Sequence, residues 1–176
     1  MKSLIKKSLL LTVFVLITIF VFIPGCQQPG PAVTLKPILD KYADAWNTGN
    51  LDELDSIVDS NFVRHFNLDP EINGIDSLKK QITMFRTAYP DLKITVDDGV
   101  YSENKAAGRW SLTAANTGQG MMPPTGKSVK TWGESIFHFV NGKITEEWAV
   151  DDDKSFMEQL GFTMMPPSNN KMQKMN

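Results

Sequence analysis

Apolar residues fall at helical spacing between Thr34 and Trp46, at Leu35, Ile38, Leu39, Tyr42, Ala45 and Trp46, which predicts an amphipathic helix. Thr34 is placed to cap its start, and Asn47-Thr48-Gly49-Asn50 to stop it. A second short helix is predicted over Leu51 to Val58, with Leu51, Leu54, Ile57 and Val58 on one face. A brief strand over Asn61 to Phe66 follows, then a loop over Asp69 to Gly74. A third helix over Ile75 to Tyr89 carries Leu78, Ile82, Phe85 and Arg86. Beyond Pro90 the period shortens to two, and strands are predicted over Leu92 to Tyr101, Ala106 to Ala115, Val129 to Val140 and Ile144 to Val150. Asn141-Gly142 is the strongest hairpin signal in the chain. A last helix, Asp153 to Leu160, stops at Gly161. Helices followed by hairpin-linked strands predict an α+β fold, with helices covering one face of an antiparallel sheet. Long curved strands around a helix pair would make a cone whose open end is a natural apolar pocket.

The chain before this pattern reads differently. Lys2, Lys6 and Lys7 precede an uncharged apolar run from Leu9 to Ile23, short for a membrane span but of the length of a signal-peptide core. The run ends at Ile23-Pro24-Gly25-Cys26, which resembles a bacterial lipobox. Residues 1–25 are thus expected to be a lipoprotein signal peptide, Cys26 the lipidated residue, and residues 26–33 a Pro/Gly linker. An uncleaved signal anchor is the other reading. In that case Cys26 is incidental; the lipoprotein reading places the domain at the cell envelope, outside the cytoplasm and held to a membrane. The Met-rich tail over residues 163–176 shows no periodicity and is expected to be disordered.

Cys26 is the single cysteine, which excludes an intrachain disulfide and a cysteine-based metal site. All 20 acidic residues, but only 15 of the 18 Lys and Arg, follow residue 25. The resulting acidic surface argues against nucleic acid as a partner, because phosphate contacts require positive charge. A content of 41% hydrophobic residues is that of a folded globule.

Candidates for chemistry are few: the chain has no phosphate-binding glycine loop, no Ser-His-Asp spacing and no His pair at ligand spacing, so no metal site is expected. On the last strand, the period of two puts Glu146, Trp148 and Val150 on one face, with Asp152 continuing the line. A carboxylate against an indole could serve as general acid or base. On spacing alone an N-cap for the final helix is the better reading, and Asp151, Asp152 and Asp153 could each serve. His65, beside aromatics Phe62 and Phe66, is either a donor to a substrate oxygen or a satisfied core histidine. His138 alternates with Phe137 and Phe139 and so should face away from them. Arg109, Trp110 and Trp132 could line a cavity, though sheet packing accounts for each alone.

Several motifs occur in an order that resembles the SnoaL-like polyketide cyclase (ester cyclase) family, of the nuclear-transport-factor-2-like superfamily. They are YADAWNTGNLDEL, FVRH ending at His65, FRTAYPDL, PPTGK, NGKITEEW ending at Trp148, and Asp152 with QLG at Gln159 to Gly161. The similarity spans about Leu35 to Phe162, and the domain is bounded at residues 34–162. It implies a cone with a hydrophobic pocket, dimerisation through the sheet, and chemistry that needs no metal or organic cofactor. It also implies Asp152 as the proton-transfer group, His65 as a pocket donor, and Trp46, Phe85, Trp110, Trp132 and Trp148 as walls of the cavity for a small hydrophobic molecule. Where relatives carry Gly-Thr-His, this chain reads Ala114-Ala115-Asn116, which puts Asn116 at the pocket position; where they carry Arg, it has His138. Both departures point to a different ligand, or to binding without reaction. Cyclisation, isomerisation and hydration all fit such a site, and a non-catalytic envelope binding protein is the alternative, because polyketide assembly is cytoplasmic.

Overall fold

The computed structural model describes residues 30–67 and 69–163. The signal peptide, Cys26 and the tail beyond residue 163 therefore lie outside the described residues. Among the described residues no helix is long and apolar enough to cross a membrane.

Helix α1 spans Pro31–Thr48, three residues longer at its start than the periodicity predicts. Leu35, Leu39, Tyr42, Ala45 and Trp46 form its buried stripe. It ends at Gly49, whose φ of 76° is left-handed and whose N–H bonds the carbonyl of Ala45. The predicted second helix splits into a 3-10 turn, Leu51–Glu53, and a single α turn, α2, Leu54–Ile57. Strand β1, Val58–Phe66, starts three residues before the predicted strand, and a short β2, Ile72–Asn73, pairs with it. Helix α3, Ile75–Ala88, buries Leu78 and Ile82 completely. Strands β3 (Lys93–Tyr101), β4 (Lys105–Ala115), β5 (Ser128–Val140) and β6 (Lys143–Asp151) follow, and α4, Asp153–Leu160, closes the domain.

The six strands form one sheet in the order β2-β1-β6-β5-β4-β3. The expected α+β class with a curved sheet around helices is what the structure shows. The sheet is not wholly antiparallel, however: β1 and β6 pair in parallel. The Asn141-Gly142 turn, whose residues both have positive φ, 51° and 74°, makes β6 the antiparallel neighbour of β5, and β1 pairs along the other edge of β6. Register shifts within β3, between β5 and β6, and between β1 and β6 curve the sheet.

Helix ends are fixed by polar groups. Arg86 donates to the carbonyls of Trp46 and Asn47, a cation at the C-terminal end of α1. Asn47 in turn exchanges two hydrogen bonds with the backbone of Ile94, docking α1 on β3. Gly118 lies so close to α3 that an added Cβ would stand 1.8 Å from the carbonyl oxygen of Thr87. Helices α1 and α3 are thereby held over the inner face of the sheet, and an apolar space is left between them.

Candidate functional site

That space is a cavity of about 110 Å³. Helix α1 contributes Tyr42 and Trp46, and α3 contributes Gln81 and Phe85. From the sheet come Arg64 and Phe66 of β1, Trp110 and Leu112 of β4, and Ser135 and Phe137 of β5. Glu147 and Asp151 of β6 complete it. The ring of Trp46 meets Phe85 edge to face at 6.3 Å.

The polar residues are organised around Glu147, which is only 3% exposed. Its carboxylate accepts from Tyr42 OH at 2.7 Å, from Arg64 Nε at 2.8 Å and from the Ser135 hydroxyl at 3.0 Å. Ser135 Oγ also accepts from Trp110 Nε1 at 3.0 Å, so the indole has a fixed orientation. The indole sits against Gly133, where a Cβ would come within 2.3 Å of the ring. Burial raises the Tyr42 hydroxyl well above its ordinary pKa, reinforced by the nearby Glu147 charge. For Arg64 burial opposes the charge, but the Glu147 carboxylate and the Tyr42 hydroxyl together more than offset it, and the guanidinium is held more firmly protonated than usual. Arg64 stacks over Phe66 at 4.6 Å and near Trp46 at 5.4 Å, and its Nη1 reaches Gln81 at 3.2 Å.

Asp151 stands at the end of β6, on the cavity wall. Burial pushes its pKa from the ordinary 3.8 up to about 6. A hydrogen bond from Asn67 Nδ2, at 2.9 Å, works against the rise, and the Asp153 charge adds to it. Asn67 adopts a φ of 48° and clamps the ends of β1 and β6, accepting from the Asp151 N–H and donating to the Ala149 carbonyl.

The residues predicted for the site divide between the two faces of the sheet. Trp46, Phe85 and Trp110 line the cavity. Asp152 does not: it is exposed, and its carboxylate caps α4 by accepting from the Ser155 N–H at 3.0 Å. His65 is on the outer face, stacked on Trp148 with ring centroids 3.7 Å apart and hydrogen-bonded to Glu146 at 3.1 Å. Trp148 and Trp132 are 49% and 53% exposed on that face, away from the cavity. His138 is there too, 2.6 Å from Glu146 and opposite in direction to buried Phe137 and Phe139. Asn116 is buried but structural; it accepts from Thr125 N–H and donates to the Ala88 carbonyl, pinning the β4–β5 connection.

The physical reason that Asp151 rather than Asp152 faces the cavity is one extra residue. Phe139 pairs with Ile144, but His138 pairs with Glu146, so Thr145 is unpaired. Ile144 faces inward before this bulge, and Glu147, Ala149 and Asp151 face inward after it. Glu146, Trp148 and Val150 do share a face, as the period of two predicts, but it is the outer one. On β1 the cavity-facing residues are likewise Phe62, Arg64 and Phe66 rather than His65. A charged residue alternating with two aromatics was the available signal for Arg64. Among the described residues, no His, Cys, Asp and Glu cluster is arranged to hold a metal.

Residues 36–160 match the sequence model of the SnoaL-like polyketide cyclase family. No curated protein sequence matches the chain significantly. Among solved structures, a protein assigned as a SnoaL-like polyketide cyclase from Jannaschia sp. CCS1 superposes with a TM-score of 0.70 at 17% identity, over 78% of this chain and 99% of that one. TsrD from Streptomyces laurentii gives 0.67 at 22% identity, over 73% and 96% of the two chains. AclR from Streptomyces galilaeus, assigned as a hydroxylase, gives 0.64 at 27% identity, over 75% and 84%.

Proposed function

This chain belongs to the SnoaL-like polyketide cyclase family, and from that premise we propose that its cavity binds a small hydrophobic molecule and that Asp151 moves a proton on it. The observation that carries this reading is the placement of Asp151. Among the described residues it is the one cavity carboxyl that is not the centre of a structural network, and its raised pKa of about 6 suits a base near neutral pH. Above that pH its carboxylate removes a proton from carbon next to a carbonyl, and the C–H electron pair moves into the enolate. Arg64 stabilises the developing oxygen charge. Return of the proton elsewhere gives isomerisation; attack of the enolate carbon on a second carbonyl gives cyclisation. Asp152, the position implied by family resemblance, acts here as a helix cap. The test is mass spectrometry of the molecule that copurifies with the full chain, followed by its turnover with Asp151→Asn and Asp152→Asn. Loss of turnover only in Asp151→Asn supports the reading; tight binding without turnover in the wild type favours the non-catalytic binding protein.

We propose separately that the chain is an envelope lipoprotein, lipidated at Cys26, and a homodimer. The outer sheet face supports the second point: Trp132, Ile136, Trp148 and Val150 are each about half exposed there and adjacent across β5 and β6. Labelled palmitate incorporation that Cys26→Ser abolishes tests the anchor, and sedimentation of Trp148→Glu tests the dimer.

A further inference from the structure

The apolar cavity shares one wall with a groove on the surface between α1 and β3: Ala43, Ile94, Val96, Gly99 and Tyr101 line both spaces. That wall is thin. Ala43 offers it a methyl group, and Gly99 offers nothing beyond backbone. Gly99 pairs across the sheet with Gly108 of β4, which also lines the cavity, so two neighbouring strands are bare at the same spot. A bulge lies beside it. Val96 pairs with Trp110 and Asp98 with Arg109, so Asp97 is an extra residue, and Arg109 and Ser111 hold its carboxylate on the outer face. The side of the cavity toward β1 and β6 is tied instead by hydrogen bonds, from Arg64 to Gln81 and from Asn67 to Asp151 and Ala149. Below it, Phe156 of α4 packs on Phe85 and Tyr89.

We propose that a ligand enters the cavity through this α1–β3 wall and that the Tyr101 ring is its gate; the proposal rests on the reading of the cavity as a binding site, but not on the role of Asp151. The ring lies over the bare backbone. A Cβ on Gly99 would stand 3.0 Å from the Tyr101 hydroxyl oxygen and 3.4 Å from Cε2. Other rings of the cavity are held in place: Tyr42 by Glu147, Trp110 by Ser135, and Trp46 by its edge-to-face contact with Phe85. Among the described residues Tyr101 has no hydrogen bond and no ring contact. It is the last residue of β3 and partly exposed, so a turn about χ1 lifts the ring off Gly99 at the expense of dispersion contacts alone. Val96, 43% exposed, gives the mouth an apolar rim along which a hydrophobic molecule can pass. A gate sets the height of the barrier and not the free energy of the bound or free state. It therefore changes association and dissociation by the same factor, whereas a side chain that merely touches the ligand changes mainly dissociation.

The full chain in lipid nanodiscs, labelled with 5-fluorotryptophan, tests this with benzene as the probe. Benzene is held at fixed vapour pressure, so that uptake by the lipid leaves its activity unchanged. Fluorine NMR signals of Trp46 and Trp110 report the cavity, and those of Trp132 and Trp148 the outer face. Line shapes of the cavity signals yield both rate constants. Tyr101→Ala should raise association and dissociation alike, by at least about fivefold, with Kd within about threefold of the wild type. Tyr101→Phe keeps the ring and should hold both rates within about twofold, which separates a gate from a hydroxyl contact. Val96→Phe adds bulk at the exposed rim and should slow both rates by at least about threefold. Unchanged rates in Tyr101→Ala, or a rise in dissociation alone, overturn the gate and leave the binding site standing. If Tyr101→Ala does not fold, Val96→Phe decides, and unchanged or faster rates in it overturn the route. Cavity signals that do not respond to benzene in the wild type overturn the small-molecule site together with its gate.

Discussion

Replacing Asp151 by Asn should stabilise the protein at alkaline pH and leave it unchanged in acid. The folded state holds the Asp151 proton more tightly than the unfolded state, because burial raises the pKa from 3.8 to about 6. The contribution of this group to stability is therefore full below about pH 4 and is lost as pH rises through about 6. Two pK units at 1.36 kcal/mol each set an upper figure of about 3 kcal/mol. The side chain is only partly buried, and solvent screening reduces this to about 1–2 kcal/mol. Asn keeps an oxygen to accept from Asn67, so the substitution removes the charge and little else. Urea unfolding followed by tryptophan fluorescence at pH 4 and pH 8 is the assay. Asp151→Asn should exceed the wild type by about 1–2 kcal/mol at pH 8 and match it at pH 4. A variant that is no more stable at pH 8, or whose advantage is the same at both pH values, would refute the placement of this carboxyl against an apolar wall.

Glu147→Gln leaves Arg64, only 7% exposed, without its counter-charge, and should cost about 3–5 kcal/mol in the same unfolding assay. Gly118→Ala drives a methyl group into the Thr87 carbonyl, so α3 or the β4–β5 connection must shift; calorimetry should show a fall in Tm of at least about 8 °C, corresponding to roughly 2 kcal/mol in a domain of this size. Asp152→Ala removes the α4 cap and should cost about 1 kcal/mol of stability in the same unfolding assay, with no change in turnover of the copurified molecule.

What the sequence made legible was local. Leu35, Leu39, Tyr42 and Trp46 announced α1 by their spacing, and Asn141-Gly142 announced the β5–β6 turn by its need for positive φ. Both depend on residues close in the chain. The β1–β6 parallel pairing brings together residues more than eighty positions apart, and no local pattern reports it. The facing of β6 was hidden for a related reason. Alternation tells which residues share a face, not which face is inside, and the unpaired Thr145 reverses the phase between Ile144 and Glu147. That one residue decides that Asp151, and not Asp152, lines the cavity. Arg64 and Glu147 are adjacent across β1 and β6, so their pairing was equally invisible until the strands were set side by side.

The central claim is that Asp151, and not Asp152, handles a proton in the cavity. Deuterium exchange at the carbon beside the carbonyl of the copurified molecule, followed by proton NMR in heavy water, measures this directly. Enzyme-dependent exchange should fall by about 10²-fold or more in Asp151→Asn and persist within about threefold in Asp152→Asn. Exchange that survives in Asp151→Asn and disappears in Asp152→Asn would contradict it.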